Sequence, residues 1–310
     1  MGKNLGVERS AGRGQLDINT AILAAALIYA TVVAAAYLKF RTVPEITLGA
    51  VAILILPVVG VVTRSKEFVK TSALVVAVLL TYEALQGVTG VLVHSGSVTS
   101  LAGLDSAIVG SDFAADVQAA FASSATTLVS TMFYGLHVFL VLIAFVLFWF
   151  KDRTVYRGYT YSLVMTSYLA LFTFIVMPTA PPWFAGTAQN LLKTGDSMLP
   201  TAFQGLQTAL LSGESDIFAA FPSLHAAYAT LFTIFMFKLG RKYGIASLPI
   251  AIGVYFSIIY LGQHYLVDLL GGIAYAGISA YVVVRLLARW DGEKLQIQAE
   301  PSQQPTASLA

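Results

Sequence analysis

The sequence predicts an all-α, polytopic integral membrane protein with about eight transmembrane helices. Three observations predict this class: 57% of the 310 residues are hydrophobic, only 11% are charged, and the mean hydropathy is +0.77. Because soluble domains carry about a quarter charged residues, this composition excludes an ordinary soluble domain. The chain has no cysteine, which excludes disulfides, thiolate metal sites and cysteine catalysis.

Apolar runs of about 17–25 residues, the length that crosses a bilayer as a helix, recur along the chain. The expected spans are 18–38, 44–63, 69–88, 129–150, 157–177, 221–239, 244–262 and 264–286. The first run is too long for the core of a signal peptide and lacks a convincing cleavage site, so we interpret it as a retained helix.

These spans divide the chain into five regions. Polar cytoplasmic tails are predicted at both ends, and a membrane bundle at 129–286 is predicted to hold the site. The regions are the tail 1–17, three N-terminal transmembrane helices in 18–88, an outer loop 89–128, the bundle 129–286 with a second outer loop 178–220, and the tail 287–310.

The basic residues fall almost entirely on one side of this topology. Of the 18 Lys and Arg residues, only Lys39, Arg41 and Lys193 lie on the other side. Because basic loops stay in the cytoplasm, both termini are predicted to be cytoplasmic and both long loops to face outward. We therefore expect an integral protein of the cell membrane, with no nucleic-acid partner.

Two of the four histidines occupy similar places at the predicted outer face. "FPSLHAAYA" at 221–229 and "YLGQHYLVD" at 260–268 each put one histidine where a polar segment leads into an apolar run. His264 and Asp268 are four residues apart, which places them on one face of a helix. The carboxylate can accept a hydrogen bond from one ring nitrogen and leave the other as a nucleophile or base.

The first of these stretches carries groups that suit an anion. Ser223 is a good helix-capping residue, and its hydroxyl with the free amides of the first turn can hold an anion. His225 can face that anion and protonate a leaving oxygen. A nucleophile, its orienting carboxylate, a general acid and an anion cradle together indicate phosphoryl transfer without a metal or other cofactor.

Longer stretches around these residues resemble a known family. "AAFPSLHAAYA" and "YLGQHYLVDLLGG" resemble the second and third motifs of the type-2 phosphatidic acid phosphatase superfamily. The form PSLH, rather than PSGH, is similar to the inositol phosphorylceramide synthase-like (inositolphosphotransferase) branch. Further likenesses to that branch are "FYGLHVFL" at 133–140, "PTAPPWFAG" at 178–186 and "DVQAAF" at 116–121, so the resemblance covers about 105–285.

The resemblance implies a helical-bundle core and roles for particular residues. His264 would be the nucleophile that forms a phosphohistidine, Asp268 would orient it, and His225 would act as acid and then as base. The candidate substrate-binding residues are Ser223, His137, Tyr134, Trp183, Pro182 and Gln263. Three of these have structural alternatives: His137 as a hydrogen-bonded core histidine, and Pro182 and Trp183 as part of a helix stop with an interfacial tryptophan.

The chain departs from the phosphatase pattern where that pattern has cations. Ile258 stands at the arginine position ahead of His264, and "MPTAPPW" at 177–183 has no cation at the outer end of the fifth span. The basic stretch "KDRTVYR" at 151–157 falls on the predicted cytoplasmic side, across the membrane from the histidines. A site with few cations fits a phosphodiester or a transferred headgroup better than a phosphate dianion.

The sequence thus predicts a metal-independent lipid phosphotransferase that acts through a phosphohistidine at the outer leaflet. Its expected partners are the bilayer, a phospholipid donor and a lipid alcohol or water as acceptor, with no obligate protein partner. Four alternatives stay open: a lipid phosphate or pyrophosphate phosphatase, a proton-coupled transporter, a scaffold with an inactive site, and a buried structural or metal-binding use of the histidines and aspartate.

Overall fold

A computed structural model describes residues 18–40, 55–56, 58–62, 64–93, 98–194 and 217–299. The predicted tail 1–17, Arg41, and most of the expected span 44–63 lie outside the described residues, as do residues 195–216 of the second outer loop.

The described residues are mainly helical, as the composition predicts. Two helices form the N-terminal part, α1 (Ile18–Phe40) and α2 (Lys66–Val93). The elements that follow are β1 (Thr99–Ser100), α3 (Ala102–Val109), α4 (Phe113–Phe121), α5 (Ser124–Lys151), α6 (Arg153–Val176), β2 (Thr179–Ala180), α7 (Pro182–Ala185), α8 (Leu191–Thr194), α9 (Leu224–Leu239), α10 (Arg241–Tyr260) and α11 (Leu266–Ala299).

Several of these helices are long and apolar enough to cross a bilayer. In the described part of the chain, α6, α10 and the stretch Leu266–Asp291 of α11 meet that condition. A fourth is α5, if its halves Ser124–His137 and Phe139–Lys151, inclined by 51°, count as one span. The chain is therefore a helical integral membrane protein, while the number of eight spans and their orientation stay predictions.

Helix boundaries follow from local capping. The Oγ of Ser123 accepts a hydrogen bond from the amide of Thr126 at 3.0 Å, so α5 begins at Ser124 instead of near 129. Asp152 ends α5 and caps α6 at once, since its Oδ1 accepts from the amides of Thr154 (2.7 Å) and Val155 (3.0 Å). At the other end of the chain, α11 continues to Ala299, past the boundary expected at 286.

Helix α9 lies at the centre of the bundle. It contacts α5, α6, α10 and α11, and Ala226, Leu231 and Phe235 on it are buried. The segments before α5 lie on the ends of the same helices, because α3 contacts α11 and α4 contacts α10. Strand β1 pairs in parallel with β2, and Thr179 also bridges to Ala219 just before α9. The non-helical segments thus gather where α9 and α11 begin.

Candidate active site

The starts of α9 and α11 are joined by their backbones. The amide of Ser223 donates to the carbonyl oxygen of Asp268 at 3.0 Å. Gly272, one turn further along α11, lies so close that a Cβ there would overlap the carbonyl oxygen of Ser223. This close approach, which only glycine permits, sets the separation of the two helices that carry the predicted site residues.

His264 lies in the turn between α10 and α11, not on the helix. Residues 261–265 are non-helical, and Gly262 has a φ of +76°. The sequence predicts that His264 and Asp268 lie one turn apart on the same helix. In the structure, His264 lies in the turn before α11, and only Asp268 is on the helix. The turn still brings the two together, with 3.5 Å between Nδ1 of His264 and Oδ2 of Asp268.

The surroundings of His264 fix its tautomer. Its Nδ1 lies 3.0 Å from the carbonyl oxygen of Ala220, which can only accept a hydrogen bond. Nδ1 therefore carries the proton, and Nε2 of the neutral ring keeps its lone pair. That Nε2 lies 3.4 Å from Nδ1 of His225. The ring thus presents a nucleophilic nitrogen to the second histidine.

Asp268 is fully buried and is held by its own turn. Its Oδ2 accepts a hydrogen bond from the amide of Tyr265 at 2.8 Å. Its Oδ1 makes no hydrogen bond within the described part of the chain. A buried carboxylate next to Nδ1 of His264 can stabilise positive charge that develops on that ring.

His225 is the second residue of α9 and packs among aromatic rings of α5. Tyr134 stacks on it with ring centroids 4.4 Å apart, and the centroid of His137 is 3.9 Å away. His137 is itself oriented by the carbonyl oxygen of Tyr134, 2.6 Å from its Nδ1. Nε2 of His225 is buried without a hydrogen-bond partner among the described residues. Tyr134 and His137 thus lie against the candidate acid and base.

Ser223 caps α9 as the sequence predicts. Its Oγ accepts from the amide of Ala226 at 3.3 Å, and the residue is fully buried. The hydroxyl proton stays free to be donated, so the cap leaves it able to contact an anion that enters the site.

Trp183 and Gln263 belong to a hydrogen-bond chain beside the histidines, and Pro182 directly precedes Trp183. Pro182 opens the short helix α7, and Nε1 of Trp183 donates to Oε1 of Gln263 at 3.0 Å. Nε2 of Gln263 donates to Oδ1 of Asn190, also at 3.0 Å. Within the described residues, none of the three hydrogen-bonds to the ring of His225 or His264, and Gln263 precedes His264 in the chain. The positions of Pro182, Trp183 and Gln263 indicate that they form one side of the site, next to His264.

Two buried polar residues that sequence reasoning did not select also reach the site. Oδ1 of Asp105 on α3 accepts from the amide of Val267 at 3.0 Å. Burial raises the pKa of Asp105, against the opposing effect of its hydrogen bonds to the amides of Val267 and Leu266. The sequence signal was a lone acidic residue in the apolar stretch 101–109.

The second is Gln118 on α4. Its Nε2 donates to the carbonyl oxygens of Gln189 (2.8 Å) and Tyr260 (3.0 Å), and its Oε1 accepts from the amide of Gln189 at 3.0 Å. A cavity of about 470 Å³ lies beside it, and every side chain that lines this cavity is uncharged.

The described residues supply no cation to the histidines. No Lys or Arg side chain in that part of the chain pairs with His225, His264 or Asp268, and Lys193 in α8 is exposed. No group of three or more His, Asp or Glu side chains there is placed to hold a metal ion. The site therefore offers acid–base groups and hydrogen-bond donors.

Comparison with known proteins gives matches over the same region. A family model described as the PAP2 superfamily matches residues 99–282, more than half of the chain. An inositol phosphorylceramide synthase of Candida albicans is 28% identical over 149 residues, which cover 42% of this chain and 30% of that protein. A phosphoinositol dihydroceramide synthase of Bacteroides thetaiotaomicron is 26% identical over 150 residues, 44% of this chain and 48% of that protein.

The catalytic subunit of an inositol phosphorylceramide synthase of Saccharomyces cerevisiae is 31% identical over 136 residues, 37% of this chain and 31% of that protein. The matched region spans less than half the length of each of these relatives. No solved structure matches the chain.

Proposed function

This chain belongs to the PAP2 superfamily, and we propose that it is a lipid phosphotransferase that acts through a phosphohistidine at the outer leaflet. The family and the likeness to inositol phosphorylceramide synthases, both expected from the histidine motifs, are confirmed. One observation carries the proposal: Nε2 of His264 is left unprotonated by the bond from Nδ1 to Ala220 and faces His225 at 3.4 Å.

In the first step, the lone pair on Nε2 of His264 attacks the phosphorus of a lipid phosphoester. The bond from phosphorus to the lipid oxygen breaks, and protonated His225 gives its proton to that oxygen. The phosphorylated ring of His264 keeps its Nδ1 proton and carries positive charge, which the carboxylate of Asp268 stabilises at 3.5 Å.

In the second step, the now neutral His225 removes the proton from an acceptor hydroxyl. The acceptor oxygen attacks phosphorus, the phosphorus–nitrogen bond breaks, and the electron pair returns to Nε2 of His264. A lipid alcohol as acceptor gives a new phospholipid, and water gives a free phosphoester. The same two histidines thus serve both reactions, and only the acceptor distinguishes them.

The two rings must separate when substrate enters. A nucleophile approaches its target atom to about 3–3.5 Å, and an acid lies about 2.6–3.2 Å from the oxygen it protonates. A phosphoryl group in line between His264 and His225 therefore requires more than the 3.4 Å that separates their nitrogens here. We assign the described conformation to the enzyme without substrate.

Transfer is favoured over hydrolysis by the absence of paired cations at the histidines in the described residues. A phosphodiester carries one negative charge, whereas a phosphate monoester near neutral pH carries between one and two. Hydrogen-bond donors and a helix N-terminus suffice for the former. The names of the relatives direct the first assay to phosphatidylinositol as donor and a ceramide as acceptor.

The test uses purified full-length protein in detergent or proteoliposomes. Phosphatidylinositol labelled in its headgroup, phosphatidic acid and a prenyl pyrophosphate are supplied in turn, with and without ceramide. We expect a labelled phospholipid that depends on ceramide, and no product with His264→Ala. Release of water-soluble phosphate or inositol phosphate, independent of ceramide, would identify a hydrolase. Turnover of none of these lipids would overturn the proposal.

A further inference from the structure

Two side chains from the outer segment 98–123 reach opposite ends of the turn that carries His264. Asp105 on α3 accepts from the amide of Val267, in the first turn of α11. Gln118 on α4 donates to the carbonyl oxygen of Tyr260, the last residue of α10. Both side chains are buried, with 2% and 9% exposure. Their hydrogen bonds thus bracket residues 261–266.

The turn itself is tightly seated between these two contacts. A Cβ at Gly262 would overlap the carbonyl oxygen of Gln189, so the turn lies directly against the second outer loop. Gln118 holds that loop as well, since it makes one hydrogen bond to each backbone group of Gln189. The amide of Leu191 donates to the carbonyl oxygen of Leu261 at 3.2 Å. Loss of the Gln118 hydrogen bonds would therefore loosen both the turn and the loop that covers it, although the bond from Leu191 to Leu261 remains.

We propose that Asp105 and Gln118 are positioning residues that fix the two ends of the His264 turn and thereby aim Nε2 of His264 at His225. Neither touches the reacting nitrogens, and each acts through backbone groups. The inference about the geometry of the turn stands alone, while its effect on turnover rests on the proposed function.

The chemistry of each contact predicts how its substitutions rank. Asp105→Asn keeps an oxygen acceptor for the amide of Val267, whereas Asp105→Ala leaves that amide without one. Gln118→Glu keeps the acceptor for the amide of Gln189, but it loses both donated bonds and places a carboxylate against two carbonyl oxygens. We expect Asp105→Asn to resemble the wild type, and Asp105→Ala, Gln118→Ala and Gln118→Glu to be impaired.

Asp116→Asn is the matched control. Asp116 is an exposed carboxylate on α4, two residues from Gln118. Its conversion to Asn applies the same chemical change within the same segment and removes no contact to the turn.

The first measurement is amide hydrogen exchange of full-length protein in detergent, followed by mass spectrometry of peptides that cover 260–268. We expect exchange there to accelerate about tenfold or more in the three impaired variants, because local opening becomes easier when its anchoring bonds are lost. Asp105→Asn and Asp116→Asn should leave it unchanged. The rate at which diethyl pyrocarbonate modifies His264 should rise in the same variants.

The second measurement is turnover. A misplacement of about 1 Å costs on the order of 100-fold in rate, so kcat should fall by about tenfold or more in the impaired variants. KM should stay within about twofold, since no substrate contact is removed.

The two measurements distinguish the geometry of the turn from its effect on turnover. Unchanged exchange over 260–268 in Asp105→Ala and Gln118→Ala would overturn the inference, whatever the turnover. Faster exchange with wild-type kcat would overturn the positioning role. If the wild type turns over no lipid phosphoester, the proposed function fails, and exchange together with His264 modification still decides whether the turn is held. If the alanine variants do not fold, Gln118→Glu, which keeps the size of the side chain, provides the same test.

Discussion

Asp268→Asn tests the electrostatic role of the carboxylate apart from its role in orienting His264. The substituted amide keeps an oxygen for the amide of Tyr265, so the 2.8 Å hydrogen bond that holds the side chain can persist. The bond from the amide of Ser223 goes to the backbone of Asp268 and is not altered. Charge is therefore the main property that changes.

The hydrogen bond between His264 and the carbonyl oxygen of Ala220 limits the expected loss in kcat. In a serine protease triad, the equivalent Asp→Asn change costs about 10⁴ in kcat because the histidine takes the wrong tautomer. Here the carbonyl oxygen of Ala220, 3.0 Å from Nδ1, fixes the tautomer of His264 without help from Asp268. In the proposed mechanism, the substitution therefore removes only the stabilisation of the charged phosphohistidine. Removal of one such electrostatic contact costs about 10²–10³ in kcat, or about 2.7–4 kcal/mol.

The assay compares kcat and the amount of phosphorylated enzyme in single-turnover experiments with headgroup-labelled donor. Asp291→Asn is the matched control, since Asp291 lies on the same helix and pairs with Arg157 at 3.4 Å, away from the histidines. A loss of 10⁴ or more would show that Asp268, and not Ala220, sets the tautomer. Retention of normal turnover would refute the electrostatic role.

His264→Ala should abolish turnover and phosphoenzyme formation, while its thermal denaturation curve shows that the protein is still folded. Normal turnover of the purified variant would exclude His264 as the nucleophile. Because the natural chain has no cysteine, single cysteines at the exposed positions Ala120 and Thr154 should react with a membrane-impermeant maleimide from opposite sides, and labelling of both from one side would disprove the predicted orientation. Burial raises the pKa of Asp105, with Asp112 adding to the rise, so the folded protein binds this proton more tightly than the unfolded chain. Its contribution to the free energy of unfolding should then fall as pH increases from the ordinary carboxyl range through the raised value. The Tm of wild type relative to Asp105→Asn should decrease over that window, and an increase would contradict the raised pKa.

Long apolar runs and capping residues made the helices predictable from sequence. Ser223 marks a helix start in the sequence and accepts an amide hydrogen bond in the fold, whereas the cap at Asp152 puts the start of α6 ahead of the expected residue 157. The helices α3 and α4 fall within the predicted loop 89–128, because each is shorter than the roughly 11–18 residues over which a helical apolar pattern is recognised. The pairing of β1 with β2 involves two residues in each strand, which is below what alternation can reveal.

The two histidines and the aspartate could be predicted to lie together because the sequence puts each near the start of an expected span, on the same predicted side of the membrane. The turn around His264 could not, since it depends on the positive φ of Gly262 and on contacts with distant segments. The hydrogen bonds of Asp105 to Val267 and of Gln118 to Tyr260 join residues 162 and 142 positions apart. No local pattern encodes such pairs, so a single sequence does not disclose them.

The two helix starts at the site differ in their electrostatics, and this difference bears on where the proposed mechanism puts the phosphate. The amides that open α11 already face two carboxylates, those of Asp105 and Asp268, which occupy hydrogen-bond donors and oppose a further negative charge. The start of α9 is capped by Ser223, which is neutral, and carries His225 in its first turn. An anionic headgroup is therefore favoured at α9, with the serine hydroxyl and the positive end of the helix dipole beside it. In the proposed mechanism, a headgroup bound there meets the lone pair of His264 across the gap to His225, so the polarity of the two helices agrees with attack by His264 and proton transfer by His225.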